Sequence, residues 1–291
     1  LYQFTKSIPQ SLIMPYPFSI ACLNNQFLPL DEAGVSAVDR GFLYGDGLFE
    51  TIRIHNGRPF LWEWHMMRFT DGAVSLGIAL PQTTESLLGN VHELIRRNSM
   101  SESVMRIALS RGVGERGYGV TGEEQPTLLI TQHSPPTTPA KPLSLVSTSA
   151  RVAIGDPLAK VKSANKLGSI LAKRDAANQG ADDGFILNSD GNVTETSSAN
   201  LFWVEGGTLR TPPVSDGVLP GVTRRLQMGQ TLEEPLVYIV SGVASKLGDS
   251  LCYLGPDFFL VDVSPVPEYF SPLCVFDYDN QAVIAAPGAG R

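Results

Sequence analysis

The first half of the chain alternates short apolar runs with turn residues, a pattern typical of antiparallel strands. An Asn-Asn pair inside residues 19–30 and Asn56-Gly57 inside residues 51–62 favour tight hairpin turns. The predicted strands of this half lie at 19–30 (two short strands), 51–54, 59–62, 103–111 and 127–131. Residues 112–124 are rich in glycine and predict a loop between the last two strands.

Two helices are predicted within this strand-rich half. Polar and apolar positions at three-to-four spacing predict a helix over 62–76 that stops at Gly77. The sequence Thr83-Thr84-Glu85 predicts the cap of a second helix, which ends at Asn98. Strands and helices together indicate an α+β unit.

Residues 132–142, QHSPPTTPAKP, contain four prolines, so neither a strand nor a helix can continue through them. They predict a linker between two domains. We therefore expect an N-terminal domain over 1–131 and a C-terminal domain over 143–291. Residues 1–13 precede the first methionine, and we expect them to be a disordered leader.

The second half again mixes strands with helices. Its best helical pattern covers 163–179 and stops at Gly180. A tight turn at 217–221 predicts the start of another helix, which includes 222–225. The predicted strands lie at 143–149, 183–188, 193–196, 201–204 and 208–211.

Composition narrows the function classes. The chain has 291 residues with a net charge of −7, which argues against a nucleic-acid coat protein or a polybasic membrane binder. No apolar run reaches the roughly 18 residues of a membrane helix. Three cysteines without CxxC spacing favour a reducing, cytoplasmic compartment. Four dispersed histidines form no metal-binding motif, so we expect no metal site.

Lys162 is the first candidate for chemistry, because it lies directly before the predicted helix over 163–179. A lysine beside an apolar element is commonly a surface group with a buried stem. A partly desolvated lysine amine can instead attack a carbonyl carbon. Lys160 and Lys166 are competitors that the pattern alone does not separate from Lys162.

Two further candidates concern a charged cofactor. Glu195, in the strand VTET, is either a solvent-facing carboxylate or the partner of a protonated ring nitrogen. The sequence LPGVTR places the N–H groups of Val222 and Thr223 at a helix start, which favours an anion. His65 and Arg68 share one helix face. They are either a solvated pair, or Arg68 binds a phosphate.

Six sequence blocks follow one another along the chain: DRGFLYGDGLFETIR (39–53), HMMRF (65–69), SRGVGERGY (110–118), VKSANKLGSILAKRDAANQGADDGFIL (161–187), GNVTETSSANLFWV (191–204) and GVLPGVTRR (217–225). In this order they resemble the class IV aminotransferases, the fold-type IV pyridoxal-phosphate enzymes. The resemblance covers roughly residues 19–228. It implies a two-domain α+β architecture, with a small N-terminal domain and a larger C-terminal domain that has a barrel-like sheet.

The resemblance implies pyridoxal 5'-phosphate as cofactor and assigns residues to it. Lys162 matches the lysine that forms the Schiff base, Glu195 the carboxylate on the pyridine nitrogen, and Arg68 the arginine on the phosphate. Val222 and Thr223 match further phosphate donors, and Leu219 matches the residue that packs on the cofactor ring.

The resemblance also implies substrate contacts. Tyr44 and Phe49 match positions that line the substrate pocket. Arg116 and Tyr118 match a loop that contacts the substrate carboxylate, often across a dimer interface, so we expect a homodimer.

The loop RGVGERGYG resembles that of aminodeoxychorismate lyases more than that of the branched-chain enzymes. We therefore expect a lyase that forms 4-aminobenzoate and pyruvate in folate biosynthesis. An aminotransferase for D-amino acids or branched-chain amino acids is the alternative, and a non-catalytic relative is a second one. Residues 229–291 do not match the family pattern, through either an altered reading frame or a variation of the lineage.

Overall fold

A computed structural model describes residues 20–136, 143–205, 208–228, 259–263, 273–277 and 283–285. The predicted leader and most of 229–291 lie outside these ranges. None of the helices in these ranges is longer than 15 residues. They are α1 (Arg40–Tyr44), α2 (Trp62–Leu76), α3 (Thr84–Asn98), α4 (Leu167–Asn178) and α5 (Val222–Gln227). None of these described helices is long and apolar enough to cross a membrane.

The first sheet has six antiparallel strands in the order β2-β1-β6-β5-β3-β4. Asn24 and Asn25 both have positive φ in the first hairpin turn, as do Asn56 and Gly57 in the β3–β4 turn, so the predicted tight turns are confirmed. The strands are β1 (Ile20–Leu23), β2 (Gln26–Pro29), β3 (Gly47–His55), β4 (Arg58–Pro59), β5 (Ser103–Val113) and β6 (Gln125–His133).

Helices α2 and α3 cover one face of the first sheet and form its core. The α2 residues Met66 and Phe69 and the α3 residues Val91 and Leu94 are each less than 4% exposed. They pack with alternate residues of the strands, because successive strand side chains point to opposite faces. The predicted Thr83 cap is confirmed, since its hydroxyl accepts a hydrogen bond from Ser86 N at 3.2 Å.

The second sheet has eight strands in the order β11-β10-β13-β14-β12-β7-β8-β9, and β10 also pairs with β9. Helix α4 packs on β7 and β8, which run parallel, as a helical crossover permits. The strands are β7 (Leu143–Val152), β8 (Asp183–Asn188), β9 (Val193–Thr196), β10 (Ala199–Glu205), β11 (Thr208–Arg210), β12 (Phe259–Val263), β13 (Leu273–Asp277) and β14 (Val283–Ala285). The α+β prediction is confirmed, and the division into two domains stays a prediction.

Several predicted boundaries differ from the structure, and three of them are wrong for a clear physical reason. Gln132 and His133, assigned to the linker, pair with β5 inside β6, and the buried Gln132 amide donates to Met100 O and Ser103 Oγ. The predicted strand over 59–62 ends at Pro59, because helix α2 already begins at Trp62. The helix predicted over 163–179 begins only at Leu167, because the segment before it pairs with β3 instead.

Candidate active site

Lys162 is held at the junction of the two sheets by backbone pairing with the start of β3. Phe49 N donates to Lys162 O at 2.9 Å, and Ala164 N donates to Gly47 O at 2.8 Å. Lys162 is 4% exposed, and its ammonium lies 4.7 Å from the centroid of the Phe49 ring. The surface alternative for this lysine is therefore wrong.

A cavity of about 290 Å³ opens beside this lysine. Phe49, Lys162, Glu195 and Leu219 all line it, so the structure brings four of the sequence-predicted site residues together. The other lining residues come from α4 with its preceding residue and from the β9–β10 turn: Lys166, Ser169, Ile170, Lys173, Ser197 and Ser198.

Glu195 and Leu219 both line the cavity and are joined by a direct hydrogen bond. Leu219 N donates to Glu195 Oε2 at 2.9 Å, and the buried Asn200 amide donates to Leu219 O at 3.1 Å. Leu219 is only 3% exposed. These bonds fix a carboxylate and an apolar side chain on the wall of the cavity.

The side chain of Arg68, on α2, contacts the turn that precedes α5. Its Nε and Nη2 donate to the two oxygens of Glu50 at 2.8 and 2.7 Å, and its Nη1 donates to Pro220 O at 3.2 Å. The next residues along this turn include Val222 and Thr223, which are the first two of α5 and are both buried. The first N–H groups of a helix have no partner within it. An arginine side chain and a helix start therefore lie together at the turn that follows Leu219, although Arg68, Val222 and Thr223 do not line the cavity.

Glu50 is the main site residue that the sequence analysis missed. Its carboxylate is fully buried and also accepts a 2.7 Å bond from His65 Nδ1. Burial alone would raise the pKa of Glu50, but the Arg68 and His65 side chains outweigh it and lower that pKa to about 2. The solvated alternative for His65 and Arg68 is therefore wrong. The sequence contained a signal for this burial. Glu50 lies two residues from both Leu48 and Ile52, so in a strand its side chain points to the same inward face as theirs.

Burial lowers the pKa of His65, against the opposite effect of the Glu50 carboxylate. A carboxylate only accepts hydrogen bonds, and Nδ1 of the imidazole therefore carries a proton that faces Glu50. Glu50 is thus bound by both the Arg68 guanidinium and the His65 imidazole.

Tyr44, Arg116 and Tyr118 do not line the cavity around Lys162. Gly117 N donates to the Tyr44 hydroxyl at 3.0 Å, and the Tyr44 and Tyr118 rings meet edge to face at 5.6 Å. Tyr118 is 88% exposed and Arg116 is exposed. Their predicted role at the substrate stays a prediction.

Arg40, which the sequence analysis did not single out, holds this loop in place. Its Nη1 donates to Gly117 O at 2.9 Å and to Glu115 O at 3.3 Å, and its Nε donates to Asp46 at 2.9 Å. Burial alone would raise the pKa of Asp46, but Arg111 and Arg40 lower it. The ion pair of Arg40 and Asp46 thus supports the exposed loop that contains Glu115 and Gly117.

Arg106 was also missed. Its guanidinium lies 3.7 Å from the centroid of the Phe49 ring, within the range of a cation–π interaction. It lines an adjoining cavity of about 180 Å³, which shares Phe49 with the cavity around Lys162. Phe49 therefore stands between two cavities.

Residues 47–233 match the model of the amino-transferase class IV family, and they include Lys162, Glu195, Arg68 and α5. The chain belongs to the class IV aminotransferases. It is 37% identical over 214 residues to a putative branched-chain-amino-acid aminotransferase of Methanocaldococcus jannaschii, covering 73% of this chain and 74% of that relative. It is 32% identical over 207 residues to the aminodeoxychorismate lyase of Bacillus subtilis, covering 70% of each.

The fold agrees with this family. The branched-chain amino acid aminotransferase of Escherichia coli superposes with a TM-score of 0.75 and 21% identity, covering 92% of this chain and 86% of that chain. The chain is therefore a pyridoxal 5'-phosphate enzyme of the aminotransferase and lyase type. Its residues fit that cofactor, since a buried amine and a carboxylate line one cavity and an arginine bonds to Pro220, the residue after the cavity-lining Leu219.

We expect Glu50→Gln to lower the free energy of unfolding at pH 7 by about 3–5 kcal/mol, because the buried Arg68 loses its charge partner. The folded pKa of Glu50 is depressed from 4.5 to about 2, so its charge stabilises the fold above pH 4.5 and ceases to do so as pH falls toward 2. The difference between wild type and variant should shrink over that interval in urea unfolding curves recorded at a series of pH values.

Glu93→Gln is the matched control, because the Glu93 carboxylate pairs with two cations, Arg96 and Arg97, and likewise has a pKa lowered to about 2, but on the surface. Surface ion pairs contribute little, so this variant should unfold much like the wild type. A loss with Glu50→Gln that does not depend on pH would contradict the assignment to a buried charge.

Proposed function

We propose that this enzyme is a lyase that converts 4-amino-4-deoxychorismate to 4-aminobenzoate and pyruvate, a step of folate biosynthesis. The observation that carries the proposal is the cavity around Lys162, where an aromatic wall, Phe49, is flanked by cationic side chains. This surface suits a planar ring that bears carboxylates. The match to the Bacillus subtilis aminodeoxychorismate lyase supports it.

Lys162 is the residue to which we assign covalent attachment and proton transfer. When bound, pyridoxal 5'-phosphate supplies an electrophilic carbon and a ring that withdraws electrons. Lys162 would hold that carbon through its ε-amine. The same amine, when free, is placed to take the proton from the ring carbon that bears the substrate nitrogen. Loss of that proton and of pyruvate leaves the aromatic product.

The other residues hold the cofactor. Glu195 keeps a proton on the pyridine nitrogen, and its own orientation is fixed by the bond from Leu219 N. Arg68 and the first N–H groups of α5, at Val222 and Thr223, bind the phosphate. The side chain of Leu219, which lines the cavity, would pack on the ring face.

A second candidate is an aminotransferase, favoured by the higher identity to the Methanocaldococcus jannaschii relative. In that reaction, Lys162 moves a proton between the α-carbon of an amino acid and the cofactor. The same residues hold the same cofactor in both reactions, so the site alone fits both candidates.

We also propose a homodimer that carries the 112–119 loop of each subunit to the cavity of the other. Exposed apolar side chains gather on two neighbouring segments, 35–43 and 113–120, which Asp39 and Val113 join by a bridge. A large exposed apolar patch is typical of an interface. These side chains are Val35, Val38, Phe42, Leu43, Val113, Tyr118 and Val120.

The proposed function is tested by two assays on the same purified enzyme. We expect 4-aminobenzoate, measured by its fluorescence, to form from 4-amino-4-deoxychorismate, with only slow formation of 2-oxo acids from branched-chain or D-amino acids. The opposite ratio would establish the second candidate. A protein that binds no cofactor would be the non-catalytic relative.

Lys162→Ala should abolish the borohydride-reducible attachment of the cofactor, because the buried amine is the group that binds its carbon. Lys160→Ala and Lys166→Ala are the controls and should keep it. Peptide mapping of the reduced protein locates the modified lysine, and attachment at another lysine would contradict the assignment.

The shared site predicts complementation between two defective subunits. Arg116→Ala should raise KM and leave cofactor binding intact, since Arg68 holds the phosphate. Heterodimers of Lys162→Ala and Arg116→Ala subunits contain one intact site if Arg116 acts in the partner's cavity. Co-expressed, differently tagged subunits should therefore regain activity at low substrate concentration. Inactive heterodimers, or an active monomer in sedimentation, would refute the shared site.

A further inference from the structure

The 112–119 loop is held to α1 by the side chain of Arg40. A single nitrogen of that side chain, Nη1, donates to Gly117 O at 2.9 Å and to Glu115 O at 3.3 Å. These two carbonyls lie on either side of Arg116, whose own side chain is exposed. Arg40 therefore fixes the backbone around Arg116 and leaves the Arg116 guanidinium on the surface.

The last residue of α1 holds the same loop from the other side. Gly117 N donates to the Tyr44 hydroxyl at 3.0 Å, so α1 binds both the N–H and the carbonyl of Gly117. The Arg40 guanidinium also lies 5.1 Å from the centroid of the Tyr44 ring. Gly117 has a φ of +108°, which residues with a side chain rarely adopt. Together these contacts specify one conformation of the loop backbone.

The charge of Asp46 does not by itself explain an arginine at position 40. Arg111 already forms a two-bond pair with Asp46, from Nε to Oδ2 at 2.8 Å and from Nη2 to Oδ1 at 3.1 Å. Arg40 adds a third bond to the same carboxylate, from its Nε at 2.9 Å. This bond anchors a guanidinium that is 3% exposed and leaves its Nη1 directed at the loop.

Arg111 and Arg40 share Asp46 but hold different segments of the chain. The remaining donors of Arg111 bind the end of α2, with Nη1 on Gly77 O at 2.8 Å and Nη2 on Leu76 O at 2.7 Å. Those of Arg40 bind the loop that carries Arg116. Two buried arginines on one carboxylate thus offer a matched comparison, in which only one contacts the loop.

We propose that Arg40 is a positioning residue for substrate binding, which acts through the backbone of residues 115–117 and presents Arg116 to a carboxylate of the substrate. The inference rests on the proposed function, because it takes the 112–119 loop to be the segment that contacts the substrate. A loop that is ordered before binding avoids the cost of ordering it during binding. Loss of the Arg40 bonds therefore lowers the affinity for substrate.

The kinetic test uses Arg40→Lys with whichever substrate the wild type turns over. Lysine keeps the charge beside Asp46 but lacks the fork that reaches the carboxylate and the loop together. We expect KM to rise about tenfold, the scale of one charged hydrogen bond, with kcat nearly unchanged. In an Arg116→Ala background the same change should leave KM as it is, since the contact that Arg40 positions is already lost.

Trypsin gives a measurement that does not depend on activity. It cleaves after arginine, and the bond between Arg116 and Gly117 lies in the backbone that α1 holds. Cleavage of a folded loop requires local opening, so Arg40→Lys should accelerate cleavage after Arg116 in the cofactor-loaded enzyme. Cleavage after Lys160, which is exposed and lies outside the loop, should keep its rate. Fragment masses identify the two sites.

Arg111→Lys is the matched control. It loses bonds to the end of α2 instead of bonds to the loop, so it should lower the melting temperature as Arg40→Lys does. It should change neither KM nor the rate of cleavage after Arg116. The proposal is overturned if both variants raise KM equally, if Arg40→Lys raises KM as much in the Arg116→Ala background, or if it leaves cleavage after Arg116 unchanged.

The outcome is distinct from that of the proposed function, which is decided by the products of the wild type. An enzyme that transaminates and forms no 4-aminobenzoate, yet shows the expected effects of Arg40→Lys, would overturn the lyase proposal and support the role of Arg40. An enzyme that forms 4-aminobenzoate but keeps its KM in Arg40→Lys would support the lyase and overturn the role of Arg40.

Discussion

The buried carboxylate of Glu50 is the constraint on which the site depends. An isolated charge in the interior would cost several kcal/mol, so the fold has to bring a cation to it. Arg68 meets this demand with two bonds, and its remaining Nη1 reaches Pro220 O. One ion pair thereby joins β3 of the first sheet to α2 and connects both to the turn before α5.

Lys162 depends on the same strand. Its carbonyl and the N–H of Ala164 pair with Phe49 and Gly47, so the segment runs extended and delays the start of α4. The cavity therefore lies where residues 113 and 117 positions apart in the chain meet. Because Glu50 and Phe49 are neighbours on β3 and point to opposite faces of the strand, one strand supplies both the carboxylate that pairs with Arg68 and the aromatic ring that lines the cavity.

Positively charged side chains line the two cavities, although the net charge of the chain is negative. The chain carries a net charge of −7, yet the cavity lining contains three lysines, and Arg106 lies against the other cavity at Phe49. Local concentration of cations attracts anionic ligands even to an acidic protein. The Arg40 and Asp46 pair serves a different purpose, since it fixes the exposed loop that carries Arg116.

The sequence by itself determined the local elements and the family. Asn56-Gly57 fixed a hairpin turn, Thr83 capped a helix, and the six blocks predicted Lys162, Arg68 and Glu195 as candidate site residues, because these signals depend on neighbouring residues or on spacing. It did not determine the start of α4, the burial of Glu50 or the position of Arg106. Only tertiary structure decided those, since pairing of residues 163 and 164 with β3 overrides helical periodicity, and a charge becomes buried only when its distant partner arrives.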